Sequence, residues 1–241
     1  MSALRLFRTP TSALGPKLGW VIYRTTYKDD AGWEWFKSYV KAHNQEMLSN
    51  PEESDAPPAV LNAMDWTFVS DPATLDGASR QQLRHRFRDW RNAAVHAENP
   101  RRDPVETRWT QRYLFFLRVD EDSLNSVLEG KGDWLDSDWV QLIRCDEELD
   151  FDWPLDYKDE ELHWGSDPDP GREDDGWMMI QPDLINGEFY DCIGTAIEYW
   201  DAYYAPPPDV VMVLAELNTI EGRIKDCYYH FEKPRSKYIG R

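Results

Sequence analysis

Residues 19–36 read GWVIYRTTYKDDAGWEWF, and two different hydrophobic periods meet inside them. From Gly19 to Thr26 the chain is β-branched and aromatic, which predicts a strand. Lys28-Asp29-Asp30 then supply a turn, with Asp30 as the expected N-cap, and Trp33, Phe36, Val40 and Met47 fall on one helical face over residues 31–48. The same order returns downstream. Residues 113–119, YLFFLRV, are an apolar strand with one embedded arginine, followed by Asp120-Glu121-Asp122 and a short helix through Leu128, so Arg118 answers to Arg24. Between the two units the loop SNPEESDAPP breaks the first helix, Asp65–Val69 predicts a second strand, and Ser79-x-x-Gln82 is a capping box opening a second helix with Leu83, Phe87, Trp90 and Ala94 as its buried stripe. Trp139–Arg144 reads as a fourth strand. Two βαβ units in series with a helix inserted between them predict an α+β fold of the ferredoxin-like plait type, strands one and three side by side at the centre. A doubly wound parallel sheet is the competing reading, and it lacks its Gly-rich turn after strand one.

The C-terminal third is less regular. It predicts a strand at Trp177–Ile180, a helix from Glu188 to Tyr199, a stop at Pro206-Pro207-Pro208, and a short apolar run at Val210–Leu217 that suits strand or helix equally. An aromatic tail, CYYHFEKPRSKYIGR, follows and is able to close over a sheet face.

Charge divides the chain. Residues 146–176 hold fourteen acids against Lys158 and Arg172, whereas residues 80–112 hold nine arginines and no lysine; the whole carries −18. Either the two segments neutralise each other or each faces its own partner. The acidic stretch, interrupted by Pro154, Pro168 and Pro170, reads as a surface loop inserted in a single domain spanning 1–241. Twelve Trp and twelve Tyr beside a mean hydropathy of −0.72 call for an aromatic core under a charged surface. Residues 1–18 read as a flexible leader in preference to a transit peptide, although the first 28 residues contain no acid. Three cysteines, Cys145, Cys192 and Cys227, without CxxC or CxxxH spacing, exclude a disulfide framework and a zinc knuckle. That cysteine usage predicts a reducing, cytoplasmic location, and no apolar run is long enough to span a bilayer.

No P-loop, GxGxxG, HExxH or GxSxG occurs, so nucleotide-driven, dinucleotide, zinc-protease and hydrolase-elbow chemistries lack their marks. Five scattered histidines offer no i,i+4 metal pair, and Asp167, Asp169, Gly171 and Glu173 fail as a calcium loop because Met178 stands where the bidentate acid belongs. Neither a metal nor a cofactor is expected. Cys145 and Cys192 read as buried, inert thiols. Arg80, Arg84, Arg88 and Arg91 form a stripe beside the apolar face of the second helix, able either to track phosphates or to pair internally with the acidic loop. Arg24 and Arg118 lie inside strands expected to be central. If their faces coincide, they meet Asp120 in a mid-sheet polar site, or Arg24 simply pairs with Asp120.

The ordered triplet GWVIYRTTYKDDAGWEWF, DGASRQQLRHRFRDW and RYLFFLRVD resembles a large fungal family of mostly uncharacterised small proteins, and through it the arginine-containing cyclodipeptide synthases. The resemblance covers about the first half of the chain. It implies condensation of two aminoacyl-tRNA-borne residues, one of them arginine, into a diketopiperazine, with arginyl-tRNA as partner. No membrane partner is expected from the lack of a long apolar run, and no DNA partner from a net charge of −18. Aminoacyl esters are already activated, so such chemistry needs no ATP site. Within that reading Asp120 is the candidate base for the attacking ammonium, Arg24 and Arg118 bind substrate, and the arginine stripe holds nucleic acid. Two readings stand beside it: an interaction module whose acidic loop takes a basic partner, and a small-molecule enzyme with a sheet-face pocket.

Overall fold

The computed structural model describes residues 17–49, 63–107, 110–130, 138–145, 176–193, 200 and 203–211. Strand β1 (Val21–Arg24) is buried at every residue, as a strand with neighbours on both sides and cover on both faces must be. Helix α1 (Asp30–Ser49) follows. Its cap is Asp29, not Asp30: the Asp29 Oδ1 accepts the Gly32 N–H at 2.8 Å, and the Asp29 carbonyl takes the Trp33 N–H at 3.2 Å. Asp30 is thereby left to another partner. Strand β2 (Thr67–Val69) leads through α2 (Pro72–Leu75) to α3 (Arg80–Glu98), opened by the expected capping box of Ser79 and Gln82. Two single turns, α4 (Pro104–Thr107) and α5 (Gln111–Leu114), precede β3 (Phe115–Val119), so the apolar run at 113–119 is helical over its first two residues. Helix α6 (Glu121–Gly130), β4 (Val140–Arg144), β5 (Trp177–Ile180), a 3₁₀ turn at Pro182–Leu184, α7 (Gly187–Cys192) and β6 (Val210–Val211) complete the described chain.

The six strands make one mixed sheet in the order β2-β1-β3-β4-β5-β6. β1 runs parallel to both β2 and β3, β4 is antiparallel to β3 and β5, and β6 is parallel to β5. Strands one and three are central neighbours, as expected, but the order is not that of a plait, because β2 lies parallel on the far side of β1. The helix treated as an insertion explains the difference. The steps β1 to β2 and β2 to β3 cross the sheet in opposite directions, so right-handed connections must place their helices on opposite faces. Accordingly Trp33, Phe36 and Val40 of α1 pack with Ile22 and Leu117, whereas Leu83 and Phe87 of α3 pack with Val21, Tyr23 and Phe116. Helix α6 joins the α1 face through Leu124 and Val127. The result is an α/β sheet covered on both sides.

The amino ends of the parallel strands are locked by one buried arginine. Arg112, 1% exposed, donates to both Glu98 carboxylate oxygens at 2.7 and 2.9 Å, to the Gly19 and Asp65 carbonyls at 2.9 and 3.1 Å, and to the Thr67 hydroxyl at 3.2 Å. Gly19 permits this close approach: its φ is +89°, and a Cβ there would stand 3.0 Å from the Asp65 carbonyl oxygen. Leu18 is buried and its N–H bonds the Ala63 carbonyl at 2.7 Å, so the fold begins before the end of the expected leader. The remainder of that leader (1–16), the acidic insertion (146–175) with its calcium-like run, residues 194–199 of the expected helix, and everything from 212 onward lie outside the described residues. Among the described residues no helix is long and apolar enough to cross a membrane.

Candidate functional site

Parallel strands deliver their outgoing loops to one edge of a sheet, and that carboxyl edge is where open α/β sheets place ligands. Here the loops after β1, β2 and β3 carry Asp29 and Asp30, Asp71 and Asp76, and Asp120, Glu121 and Asp122 respectively. The β2–α3 connection folds back over the edge, the Gly77 N–H bonding the Thr25 carbonyl at 3.1 Å. Beneath it, Arg118 donates from Nη1 to Asp120 Oδ2 at 2.6 Å and to Gln141 Oε1 at 3.0 Å, and from Nε to the Ala78 carbonyl at 3.2 Å. Its Nη2 has no hydrogen-bond partner among the described residues. Burial pulls the guanidinium below its usual pKa and Arg80 adds to the pull, while Asp120 opposes both.

Asp120 has two duties. Its Oδ1 accepts the Ser123 N–H at 3.0 Å and its own N–H bonds the Ser123 hydroxyl at 2.9 Å, a reciprocal cap on α6. Its Oδ2 receives Arg118 and, at 2.7 Å, the Gln141 amide. Three of about four acceptor sites on a carboxylate are therefore filled, and one is open.

Arg24 does not join this cluster. In a parallel pair, residues in register point to the same face; Arg24 is in register with Val119, and Arg118 with Tyr23, so the two arginines occupy opposite faces. Neither the shared mid-sheet site nor an Arg24–Asp120 pair forms. Arg24 instead bonds the Thr26 carbonyl and the Asp30 carboxylate, both at 2.6 Å, under the Tyr27 ring whose centroid is 4.4 Å away. It fastens the turn between β1 and α1.

The arginine stripe on α3 also turns largely inward. Arg84 donates to the Arg144 and Gly176 carbonyls at 3.1 and 2.9 Å, and Arg91 to the Tyr113 and Cys145 carbonyls at 3.3 and 3.0 Å. Both are buried, anchoring the helix to the ends of β3, β4 and β5. Arg80 lies over Trp177 at 4.1 Å, and Arg88, half-exposed, contacts His85 Nδ1 at 3.1 Å. One residue of offset from Leu83, Phe87 and Trp90 is about 100° of rotation, which leaves Arg84 and Arg91 on the flank that closes over the sheet. Cys145 is buried, with its Sγ 3.7 Å from the Arg84 carbonyl.

Two groups escaped the sequence reading. Gln141 is 3% exposed and has no chemical signature in a strand sequence, so only pairing with β3 identifies it. Trp35, Tyr39 and His43, on α1, were legible as an i, i+4, i+8 aromatic row; they stack on one another beside Asp183. Among the described residues no three His, Cys, Asp or Glu side chains gather as a metal ion requires. Compared with protein-family models, with curated proteins and with solved structures, the chain matches none.

Proposed function

We propose that this protein is an aminoacyl transferase that takes an arginyl group from arginyl-tRNA and closes it with a second aminoacyl group into a diketopiperazine. Position carries the reading: Arg118, Asp120 and Gln141 converge at the carboxyl end of β3, one lone-pair site of Asp120 and one nitrogen of Arg118 remaining open. The ester bond of each substrate is already activated, and what the chain must supply is alignment and a proton acceptor. Alignment of two bound esters is worth up to about 7 to 11 kcal/mol of barrier. In this reading Asp120 takes a proton from the α-ammonium of one aminoacyl group. The free amine attacks the ester carbonyl of the other while Arg118 Nη2 steadies the oxygen on which negative charge develops, and the tRNA ribose hydroxyl leaves as the amide forms. A second such attack, releasing the other tRNA, closes the ring. The acidic loops around the edge favour a cationic aminoacyl group over a neutral one. Arg80 and Arg88, the two stripe members that are not buried, are the ones left for a phosphate contact, and Arg80 already lies over Trp177.

The test is incubation of purified protein with arginyl-tRNA and a full set of aminoacyl-tRNAs, with diketopiperazines read by mass spectrometry. An arginine-containing cyclic dipeptide, absent when the arginyl-tRNA is hydrolysed beforehand, supports the reading. No cyclic product, with the tRNA still charged at the end, refutes it.

A further inference from the structure

A second site lies away from the Arg118–Asp120 cluster, where the chain after β5 crosses α1. Trp35, Tyr39 and His43 succeed one another at one-turn intervals, their rings near-parallel: Trp35 and Tyr39 have centroids 5.4 Å apart at 13°, Tyr39 and His43 6.3 Å apart at 5°. Trp35 ends the row. At 37% exposure it is the large hydrophobic side chain most open to water among the described residues, and the next position toward the helix start, Ala31, is too small to cover its ring.

The row is braced against Asp183. The Tyr39 hydroxyl donates to Asp183 Oδ1, His43 Nε2 lies 3.1 Å from the Asp183 carbonyl, and Asn44 donates to the Ile185 carbonyl at 2.9 Å. Asn186 holds the same turn from the other side, its amide donating to the Asp183 carbonyl at 2.5 Å. The carboxylate is thus half-buried and fixed, and its Oδ2 has no partner among the described residues. No lysine or arginine among them pairs with Asp183. Burial pushes its pKa up to about 6, as for a charge taken partly out of water without a counter-charge.

We infer that Asp183 and the Trp35–Tyr39–His43 stack form a seat for a small organic cation, a guanidinium or alkylammonium group, whose charge meets the open carboxylate oxygen and whose body lies against the aromatic row. A carboxylate without a counter-ion favours a cation, and ring faces attract one through their quadrupoles. The rigidity of the turn gives the seat a fixed shape before any ligand arrives. The seat stands independently of aminoacyl transfer, since a free cationic metabolite satisfies it as well as a substrate side chain.

The test titrates agmatine and, separately, cadaverine into the full chain at pH 7.5 and constant ionic strength, read by calorimetry and by tryptophan fluorescence, with 1-pentanol as a neutral control. Saturable one-to-one binding of either cation is expected, the guanidinium and ammonium arms showing which head group fits. Asp183→Asn should weaken it at least tenfold and Trp35→Ala severalfold, whereas Asp89→Asn, an equal charge change on exposed α3 surface, should leave it within twofold. Because Trp35 is exposed, its alanine variant folds and keeps the test decisive even if Asp183→Asn does not. Absence of saturable binding by both cations, or equal weakening by Asp183→Asn and Asp89→Asn, overturns the inference; the latter would reduce it to general attraction by an acidic protein.

Discussion

Replacing Asp183 with Asn should make the protein more stable at neutral pH, because it removes a charge the fold holds unfavourably. The folded carboxyl titrates at about 6 against 3.8 for the unconstrained group, burial being the cause. The folded state thus binds the proton more tightly than the unfolded state does. The stabilisation linked to that proton is complete below about pH 4 and lost as pH rises through about 6. A shift of about two units corresponds to at most about 3 kcal/mol, and partial exposure to water reduces that to about 1–2 kcal/mol. Asparagine keeps the oxygen that accepts from Tyr39 and carries no charge to desolvate. Urea unfolding of both proteins from pH 4 to pH 8 should therefore show near-equal stability at the acid end, a difference that opens between about pH 4 and 6, and a plateau of about 1–2 kcal/mol in favour of Asp183→Asn above pH 7. Ionisable groups away from Asp183 cancel in the comparison, and the neighbouring His43, whose pKa burial pulls below the usual imidazole value, is neutral above pH 7 where the plateau is read. A difference that does not vary with pH, or a variant less stable at pH 8, would refute the claim that Asp183 lacks a counter-charge.

Further outcomes follow from the buried arginines and one glycine. Arg112→Met strands Glu98 and the Leu18, Gly19 and Asp65 carbonyls, and should cost about 3–5 kcal/mol in urea unfolding, much of it recovered in Arg112→Met/Glu98→Leu; an additive double mutant contradicts the pairing. Burial raises the Glu98 carboxyl but the Arg112 guanidinium outweighs it and holds its pKa low, so this contribution is present at neutral pH and fades as pH falls through the depressed value. Arg84→Glu should destabilise the fold at every salt concentration because it faces carbonyl oxygens, while Arg88→Glu should leave stability within about 0.5 kcal/mol and lower the salt slope of tRNA binding by about 0.9 for a duplex contact. Equal thermal melts for the two variants would contradict the inward placement of Arg84. Gly19→Ala should cost about 1–3 kcal/mol, its backbone being left-handed; a neutral result would mean the Arg112 clamp tolerates a shifted Asp65.

Element boundaries were readable where a hydrophobic period was long and a cap was local. The Trp33–Phe36–Val40 face, the Ser79–Gln82 box and the Trp177–Ile180 strand need only neighbouring residues to specify them, and the structure has them in place. Beyond the central pairing of β1 with β3, strand order was not readable, since it depends on which way each crossover travels, and the period of α3 alone does not say which sheet face the helix will cover. The candidate site failed in part for a related reason. Alternation assigns Arg24 a side within β1 and Arg118 a side within β3, but only the register between strands relates the two sides, and a one-residue step reverses the answer. The Arg118–Asp120 contact was legible because the two residues are two apart in sequence, at the end of β3 and just beyond it. Asp183 was not, because its partners Tyr39 and His43 are a domain's length away in sequence.

The most direct measurement follows radiolabelled arginine from arginyl-tRNA in a single turnover, with wild-type protein and Asp120→Asn in parallel and folding and tRNA binding measured on the same samples. The account predicts that wild type moves the label into a cyclic dipeptide, and that Asp120→Asn binds the tRNA but transfers the label about 10²-fold more slowly or worse. Label that stays on the tRNA with wild type, or that leaves at the same rate with Asp120→Asn, would contradict it.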